Sequence, residues 1–279
     1  MCQAYTISKG IPLMEKLKIT TGYFNNGLPY VRIGDCQNNL VIFGGLDFNH
    51  KPPSGMMLKM STSLIKCFAN GVTVYLVTRK PGLPIGYSIQ DMSNDYATMI
   101  RDEFDGPVDI MGMSTGGPIA QYFAVDHPDL VRRLVLAITG YRLTEEGKKL
   151  QRHVGELASQ RKWRGAYASQ ITGVYSKGIK KHLFRSLMWL FGTYGAPENP
   201  SDGLVEIEAE DKHDFKDRLI EIKVPTLVIG GEEDFFYPIS DTAAGIPDAK
   251  LVLYKGFGHN AIFDNRRQFS KDVLAFLRS

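Results

Sequence analysis

The sequence predicts an α/β protein built on one mostly parallel β-sheet with helices on both faces. Six short runs rich in Val, Ile and Leu do not alternate between apolar and polar residues, which is typical of parallel strands covered on both sides. Stretches with helical spacing lie between most of these runs. The six predicted strands are residues 40–43, 72–77, 108–111, 134–138, 226–229 and 250–254.

The predicted sheet begins with an antiparallel hairpin. Residues 16–24 and 28–33 are two candidate strands that flank Asn25-Asn26-Gly27, and Asn-Gly is a favoured pair in tight hairpin turns. The sheet is therefore expected to hold eight strands. Helices are expected around residues 58–69, 90–104, 118–125 and 266–277.

The composition is that of an ordinary globular protein. The chain has 279 residues, of which 43% are hydrophobic and 23% charged, which suits one large domain with an insertion. Its 33 Lys and Arg residues against 30 Asp and Glu residues leave a formal charge of +3, too balanced to indicate a nucleic-acid partner. No secretory signal and no membrane span is predicted.

The cysteine and histidine patterns indicate neither a disulfide framework nor a metal site. Cys2, Cys36 and Cys67 form no CxxC pair and have no metal-ligand spacing with histidine, so they are interpreted as free thiols in a reducing compartment. No HxH or HExxH pattern is present. We therefore expect a cytoplasmic protein with no metal and no cofactor.

A long insertion interrupts the alternation of strands and helices. The strand expected after residue 140 is delayed until about residue 220, far beyond a normal connection. This predicts a core domain of residues 1–140 and 220–279 with an inserted cap at 141–219. The first part of the cap is basic and the second acidic. These charges are interpreted as paired or solvated, the alternative being a basic mouth that attracts an anionic substrate.

One stretch of the cap has an apolar helical face. This face could roof an acyl pocket, or it could simply pack against the core. Its residues are Leu183, Phe184, Leu187, Met188 and Phe191.

The stretch Gly112-Met113-Ser114-Thr115-Gly116 is a GxSxG match between a predicted strand and a predicted helix. In that context the motif places a serine on a strained turn, where its hydroxyl is exposed as a nucleophile. The alternative is that Ser114 only caps the helix. A serine nucleophile needs a histidine base, which in turn needs a carboxylate, and the expected chain order is Ser, Asp or Glu, then His.

Suitable partners follow two later strands. Glu232, Glu233 and Asp234 come directly after strand 226–229, at the carboxyl end where open α/β sheets place their sites. His259 lies in a glycine-flanked loop after the last strand.

Four other histidines are interpreted as structural residues. His127, before Pro128 at a helix end, is expected to cap or stack, while His153, His182 and His213 are expected at the surface of the cap.

Several motifs in the correct order resemble the α/β-hydrolase fold superfamily, in its serine hydrolase branch with a helical cap. They are VIFGG at 41–45, GMSTGG at 112–117, HPDLVRRLVL at 127–136, VPTLVIGGEEDFFYP at 224–238 and GFGHNAIFD at 256–264. The resemblance implies that Ser114 is the nucleophile, Asp234 the orienting acid and His259 the base.

The resemblance also implies an oxyanion hole built from backbone N–H groups. One follows the nucleophile, at Thr115, and the other belongs to the loop after the third strand, at Leu46 or alternatively Gly45. Two loops depart from the family pattern. Gly44-Gly45 stands where many relatives carry His-Gly, and residues 78–84 lack the common Asp-x-x-Gly-x-G form.

The implied activity is hydrolysis of a carboxylic ester or thioester of a small or medium acyl substrate, through an acyl-enzyme on Ser114. The same three residues would also serve a C–C bond hydrolase, a lactonase or a cofactor-free perhydrolase. A second alternative, of a different class, is a non-catalytic ligand-binding protein of the same fold.

Overall fold

The sheet seen in the computed structural model, which describes residues 17–175, 177–194 and 196–279, has the predicted architecture. Among these residues, eight strands form one sheet in the order β1-β2-β4-β3-β5-β6-β7-β8. The pairs β1/β2 and β2/β4 are antiparallel, and all others are parallel. The strands are β1 Ile19–Tyr23, β2 Pro29–Ile33, β3 Asn39–Phe43, β4 Thr73–Val77, β5 Val108–Met113, β6 Val131–Ala137, β7 Thr226–Gly231 and β8 Lys250–Tyr254.

The helices cover both faces of the sheet. The four helices predicted from spacing are confirmed as α1 with the 3₁₀ turn that follows it, α2, α3 and α10. The helices are α1 Gly55–Ile65, α2 Ile89–Glu103, α3 Gly116–Asp126, α4 Glu145–Ser159, α5 Trp163–Val174, α6 Gly178–Phe191, α7 Ser201–Asp211, α8 Ile239–Gly245, α9 Ala261–Asp264 and α10 Arg266–Leu277. Short 3₁₀ turns lie at Lys66–Phe68, Pro128–Leu130 and Lys216–Glu221.

Local sequence sets where the longest core helix begins. Ser88 accepts a hydrogen bond from the Asp91 backbone N–H at 3.1 Å, and the Asp91 carboxylate accepts one from the Ser88 N–H at 2.9 Å. This reciprocal capping box satisfies two donors that a helix start otherwise leaves free.

The core lies on both sides of the central strands. All six residues of β5 are buried, as expected of a parallel strand with helices on each face. Because the carboxyl ends of parallel strands meet at one edge of a sheet, the segments that follow β3, β5, β7 and β8 converge there. That edge carries the predicted functional residues.

Helices α4 to α7 occupy the long connection between β6 and β7. They pack on the core through a small apolar cluster in which the ring of Phe48, from the loop after β3, meets Trp163 edge-on at 5.3 Å. Opposite charges within this segment pair, as Arg152 and Asp211 do at 2.8 Å. Two of its acidic side chains, Glu206 and Glu210, are instead fully buried, which the charge pattern did not indicate.

The interpretation of three free thiols is wrong for Cys36. Cys36 takes part in a disulfide bond, Cys67 is a free thiol, and Cys2 lies outside the described residues. Stable disulfides are rare in reducing compartments, so Cys36 does not support the expected cytoplasmic location. Within the described ranges, no helix is both long enough and apolar enough to cross a membrane.

Candidate active site

Ser114 occupies the sharp turn between β5 and α3. Its φ of +52° lies in the left-handed region that non-glycine residues rarely adopt. The turn is held by hydrogen bonds from the Ser114 N–H to the Ala137 carbonyl at 3.0 Å and from the Gly117 N–H to the Ser114 carbonyl at 2.8 Å. A strained conformation of this kind is stored where the surrounding structure enforces it, often at functional sites.

Two glycines let strand and helix approach around this turn. A Cβ on Gly116 would lie 2.1 Å from the Phe43 carbonyl oxygen, and one on Gly112 would lie 2.6 Å from the Cβ of Ala120. These distances are far below van der Waals contact, so the GxSxG pattern has a steric basis in this chain.

Ser114, His259 and Asp234 form one continuous hydrogen-bonded chain. The Ser114 Oγ lies 3.0 Å from His259 Nε2, and His259 Nδ1 lies 2.9 Å from Asp234 Oδ2. Because a carboxylate only accepts, Nδ1 carries the proton and Nε2 is left to accept the serine hydroxyl proton. The structure therefore brings together the three residues that the sequence selected.

Backbone donors orient the Asp234 carboxylate. Its Oδ1 accepts hydrogen bonds from the N–H groups of Phe236 at 2.9 Å and Tyr237 at 3.0 Å, while Oδ2 faces His259. The competing carboxylates point elsewhere. Glu233 pairs with Lys177 at 2.7 Å on the surface, and Glu232 is exposed.

The two segments expected to supply the oxyanion hole flank the nucleophile. Thr115 is buried at the start of α3, directly after Ser114. The loop after β3 passes on the other side, where a Cβ on Gly45 would lie 3.4 Å from the Ser114 Cβ. Leu46 of the same loop lines the cavity at this site.

The cavity beside Ser114 is small and mostly apolar. Its volume of about 40 Å³ has room for about three water molecules. Among the described residues that line it there is no Lys or Arg. Its walls are Leu46, Ser114, Thr115, Leu150, Gln151, Val154, Gln170, Val174, Phe236, Tyr237 and His259.

Helices α4 and α5 roof this cavity, and the apolar face of α6 does not. None of the residues expected to roof it, which all lie on α6, is among its described walls. Phe184 stacks on Tyr175 at 4.9 Å, whereas Leu183 and Phe191 are exposed. Of the two alternatives for this face, the roof is therefore not observed among the described residues, because helical spacing identifies an apolar face but not the surface that it meets.

A family comparison agrees with this geometry. A model of the α/β hydrolase fold matches residues 77–266. The chain belongs to this family.

Two curated relatives of this α/β hydrolase carry named activities. It is 24% identical over 284 residues to a 2-hydroxy-6-oxononadienedioate/2-hydroxy-6-oxononatrienedioate hydrolase from Pseudomonas sp., a match that covers 94% of this chain and 95% of that protein. It is 34% identical over 95 residues to the bifunctional esterase/perhydrolase DCH from Acinetobacter calcoaceticus. That second match covers 33% of each chain, so it spans about a third of the esterase's length.

A solved structure shows the shared fold. The crystal structure of MGS-M2, an α/β hydrolase enzyme from a Medee basin deep-sea metagenome library, matches this α/β hydrolase with a TM-score of 0.75 at 19% identity. The match covers 90% of this chain and 95% of that one.

The remaining histidines of this α/β hydrolase lie away from the triad. His127 is the C-cap residue of α3, as one of its two interpretations predicted, and meets the ring of Phe123 edge-on at 5.7 Å, while His153 and His182 are exposed. His213 was expected at the surface but is buried, and burial lowers its pKa to about 4. In the part of the chain that the structure describes, no cluster of three or more His, Cys, Asp or Glu side chains could hold a metal ion.

Sequence reasoning missed a polar cluster next to the nucleophile. The hydroxyl of Tyr237 donates to Glu210, and the Gln151 side-chain amide donates to the same carboxylate at 2.6 Å. Tyr237 and Gln151 line the same cavity as Ser114 and Thr115. Burial raises the pKa of Glu210, and these hydrogen bonds oppose the shift. Tyr237 lies three residues after Asp234 in the motif at 224–238, and this position could have indicated that it is close to the site.

Proposed function

We propose that this α/β hydrolase is a serine hydrolase that cleaves a carboxylic ester or thioester of a small or medium acyl substrate through an acyl-enzyme on Ser114. The observation that carries the proposal is the unbroken hydrogen-bonded chain from Ser114 through His259 to Asp234, which opens on a cavity. A serine hydroxyl becomes an effective nucleophile only with such a base beside it.

In the proposed reaction each of the three groups acts once in acylation and once in deacylation. As the Ser114 Oγ attacks the acyl carbonyl, His259 Nε2 takes its proton, and Asp234 stabilises the imidazolium that forms. The N–H groups of Thr115 and Leu46, or alternatively Gly45, stabilise the oxyanion. His259 then gives the proton to the departing alcohol or thiol, and water releases the acid by the same route in reverse.

We propose that residues 141–219 form the cap and that residues 1–140 and 220–279 form the catalytic core. The cavity supports a substrate whose acyl part is small and uncharged, because no described wall residue is Lys or Arg. An acyl chain larger than the cavity requires a displacement of α4 or α5. An anionic acyl end has no cationic partner among these walls, which disfavours the basic-mouth alternative.

A C–C bond hydrolase is the second candidate, because the relative from Pseudomonas that matches 94% of this chain carries that kind of name. The esterase/perhydrolase relative favours esters or perhydrolysis but matches only a third of the chain. Lactone opening would use the same three groups. A non-catalytic binding protein is disfavoured because nucleophile, base and acid are all in hydrogen-bond contact.

Labelling with a fluorophosphonate followed by peptide mass mapping tests the proposal. We expect one adduct, on Ser114, that is abolished in Ser114→Ala and in His259→Ala. A panel of matched esters, thioesters, lactones and dienoic acids would then rank the reactions. Absence of an adduct on correctly folded protein would favour the non-catalytic alternative.

A further inference from the structure

The two loops that depart from the family pattern are joined by one side chain. Arg79, in the loop after β4, is almost completely buried. Its Nη1 donates to the Gly44 carbonyl at 2.6 Å and its Nη2 donates to the Gly45 carbonyl at 2.8 Å. The guanidinium therefore forms hydrogen bonds with two successive carbonyls of the loop that passes beside Ser114.

These two hydrogen bonds fix the direction of two backbone donors. In a planar trans peptide, the carbonyl of one residue points opposite to the N–H of the next. With the Gly44 and Gly45 carbonyls held toward Arg79, the N–H groups of Gly45 and Leu46 point away from it. These are the two candidate donors on this side of the oxyanion hole.

Glu206, on helix α7, holds the other edge of the guanidinium. Its Oε1 accepts from Arg79 Nε at 2.6 Å and its Oε2 accepts from Arg79 Nη2, a bidentate pair of the strongest kind. His50 also contacts Glu206 through Nε2, and its Nδ1 faces the Lys80 carbonyl at 3.0 Å. Because both ring nitrogens face acceptors, both carry protons. Burial alone would lower the pKa of His50, but the Glu206 carboxylate raises it.

Glu210 stands one helical turn further along α7, on the same face, and is likewise fully buried. Its carboxylate accepts from the Tyr237 hydroxyl, and Tyr237 lines the cavity together with Ser114 and Thr115. Thr115 carries the other expected donor of the oxyanion hole. Two buried carboxylates four residues apart on one helix therefore contact side chains on both sides of Ser114, Arg79 at the loop after β3 and Tyr237 next to Thr115.

We propose that helix α7 positions both arms of the oxyanion hole, Glu206 through Arg79 on the loop after β3 and Glu210 through Tyr237, which lies next to Thr115 at the start of α3. The catalytic meaning of the hole rests on the proposed function, whereas the positioning of the two backbone segments is a property of the folded chain. Both glutamates are positioning residues, since they act through other side chains.

Hydrogen exchange measured by mass spectrometry tests the positioning without any substrate. In Glu206→Gln we expect exchange of peptides covering residues 43–48 to accelerate about ten-fold while peptides covering 112–118 change little. Glu210→Gln should show the reverse. Glu208→Gln is the matched control, because Glu208 lies on the same helix but is exposed and pairs only with Lys212 among described contacts. Equal changes in all three variants, or none, would overturn the proposal.

Steady-state kinetics on a p-nitrophenyl ester tests the catalytic consequence. Arg79→Lys keeps the charge but loses the planar fork, so it cannot hold two carbonyls and a carboxylate together. We expect kcat to fall about ten- to a hundred-fold with KM nearly unchanged, because a displaced oxyanion donor weakens only the transition state. Glu208→Gln should keep the parent kcat.

The outcomes separate the two proposals. If the parent protein hydrolyses no ester and takes no Ser114 adduct, the proposed function fails, and the exchange pattern still decides whether α7 positions the two segments. Arm-specific exchange without a fall in kcat would overturn the catalytic role. Should Glu206→Gln not fold, judged by circular dichroism, Arg79→Lys and Tyr237→Phe report on the two arms in its place.

Discussion

The phenol ring of Tyr237 is stacked on the imidazole of His259, with ring centroids 5.8 Å apart and planes inclined by 29°. The same residue donates its backbone N–H to Asp234 and its hydroxyl to Glu210. One side chain thereby links the candidate base, the carboxylate that orients it and the buried face of helix α7.

Tyr237→Phe should distinguish the contribution of the Tyr237 ring from that of its hydroxyl. The ring stack on His259 is retained, whereas Glu210 loses one of its donors inside the protein. Loss of one buried hydrogen bond to a carboxylate costs about 1–3 kcal/mol. Urea unfolding should show a fall of this size, while Tyr23→Phe, at an exposed position, should change stability by less than about 0.5 kcal/mol. Equal stability of both variants would contradict the predicted contribution.

Asp234→Asn should abolish most of the activity without disturbing the fold. An amide donates where the carboxylate accepted, so His259 takes the wrong tautomer and cannot receive the Ser114 proton. We expect kcat to fall about 10⁴-fold, the size seen for this change in a serine protease triad. Glu232→Gln, a neighbouring exposed carboxylate, should retain parent kinetics. A similar loss in both variants would contradict the role of Asp234 in orienting His259.

His213 should make stability fall as the pH falls from about 6.5 toward 4. Burial lowers its folded-state pKa to about 4; the negative charge of Asp214 opposes this shift and the positive charge of Lys148 adds to it. Below pH 6.5 His213 binds a proton in the unfolded chain but not in the folded protein. The free energy of unfolding therefore decreases until the pH reaches the folded-state pKa. The full effect is roughly 3 kcal/mol.

Urea unfolding at pH 7 and at pH 4.5 measures this effect. His213→Leu removes the titrating group, so its loss of stability between the two pH values should be smaller than that of the parent. His153→Leu, at an exposed histidine, is the control and should follow the parent curve. Parallel curves for all three proteins would show that His213 titrates normally.

Gly116→Ala should destabilise the protein severely. The new methyl group would meet the Phe43 carbonyl at 2.1 Å, and neither β3 nor α3 can move without disturbing the sheet. We expect a loss of about 3 kcal/mol in chemical unfolding. Gly165→Ala, in helix α5, is the matched control, because its methyl group would lie at ordinary contact distances from Leu157, 3.4 Å, and Trp189, 3.9 Å. That change should be neutral or slightly stabilising, since alanine favours a helix.

The strands and the candidate triad could be predicted from the chain because their signals are local. Each parallel strand is a short apolar run, and Ser114, Asp234 and His259 each follow such a run in a turn. Since all carboxyl ends of parallel strands meet at one edge, sequence order alone was enough to predict that these residues converge.

The roles of the cap could not be predicted in the same way. The sequence indicated that the cap charges pair or are solvated and that the apolar face of α6 packs or roofs a pocket, but not that Glu206 and Glu210 are buried. Burial of a charge depends on partners distant in sequence, such as Arg79, 127 residues from Glu206. Likewise, the cavity is roofed by α4 and α5 because of how the cap packs on Phe48.

The sequence by itself determined the fold class, because hydrophobic periodicity is a short-range property, and its motifs resembled the α/β-hydrolase superfamily, which implied the three residues that form the hydrogen-bonded chain. Only the tertiary structure decided which carboxylates of α7 are buried, that Arg79 holds the loop after β3, and which helices enclose the cavity. Those features arise from contacts between segments far apart in the chain, where packing and desolvation outweigh the local preferences that a sequence displays.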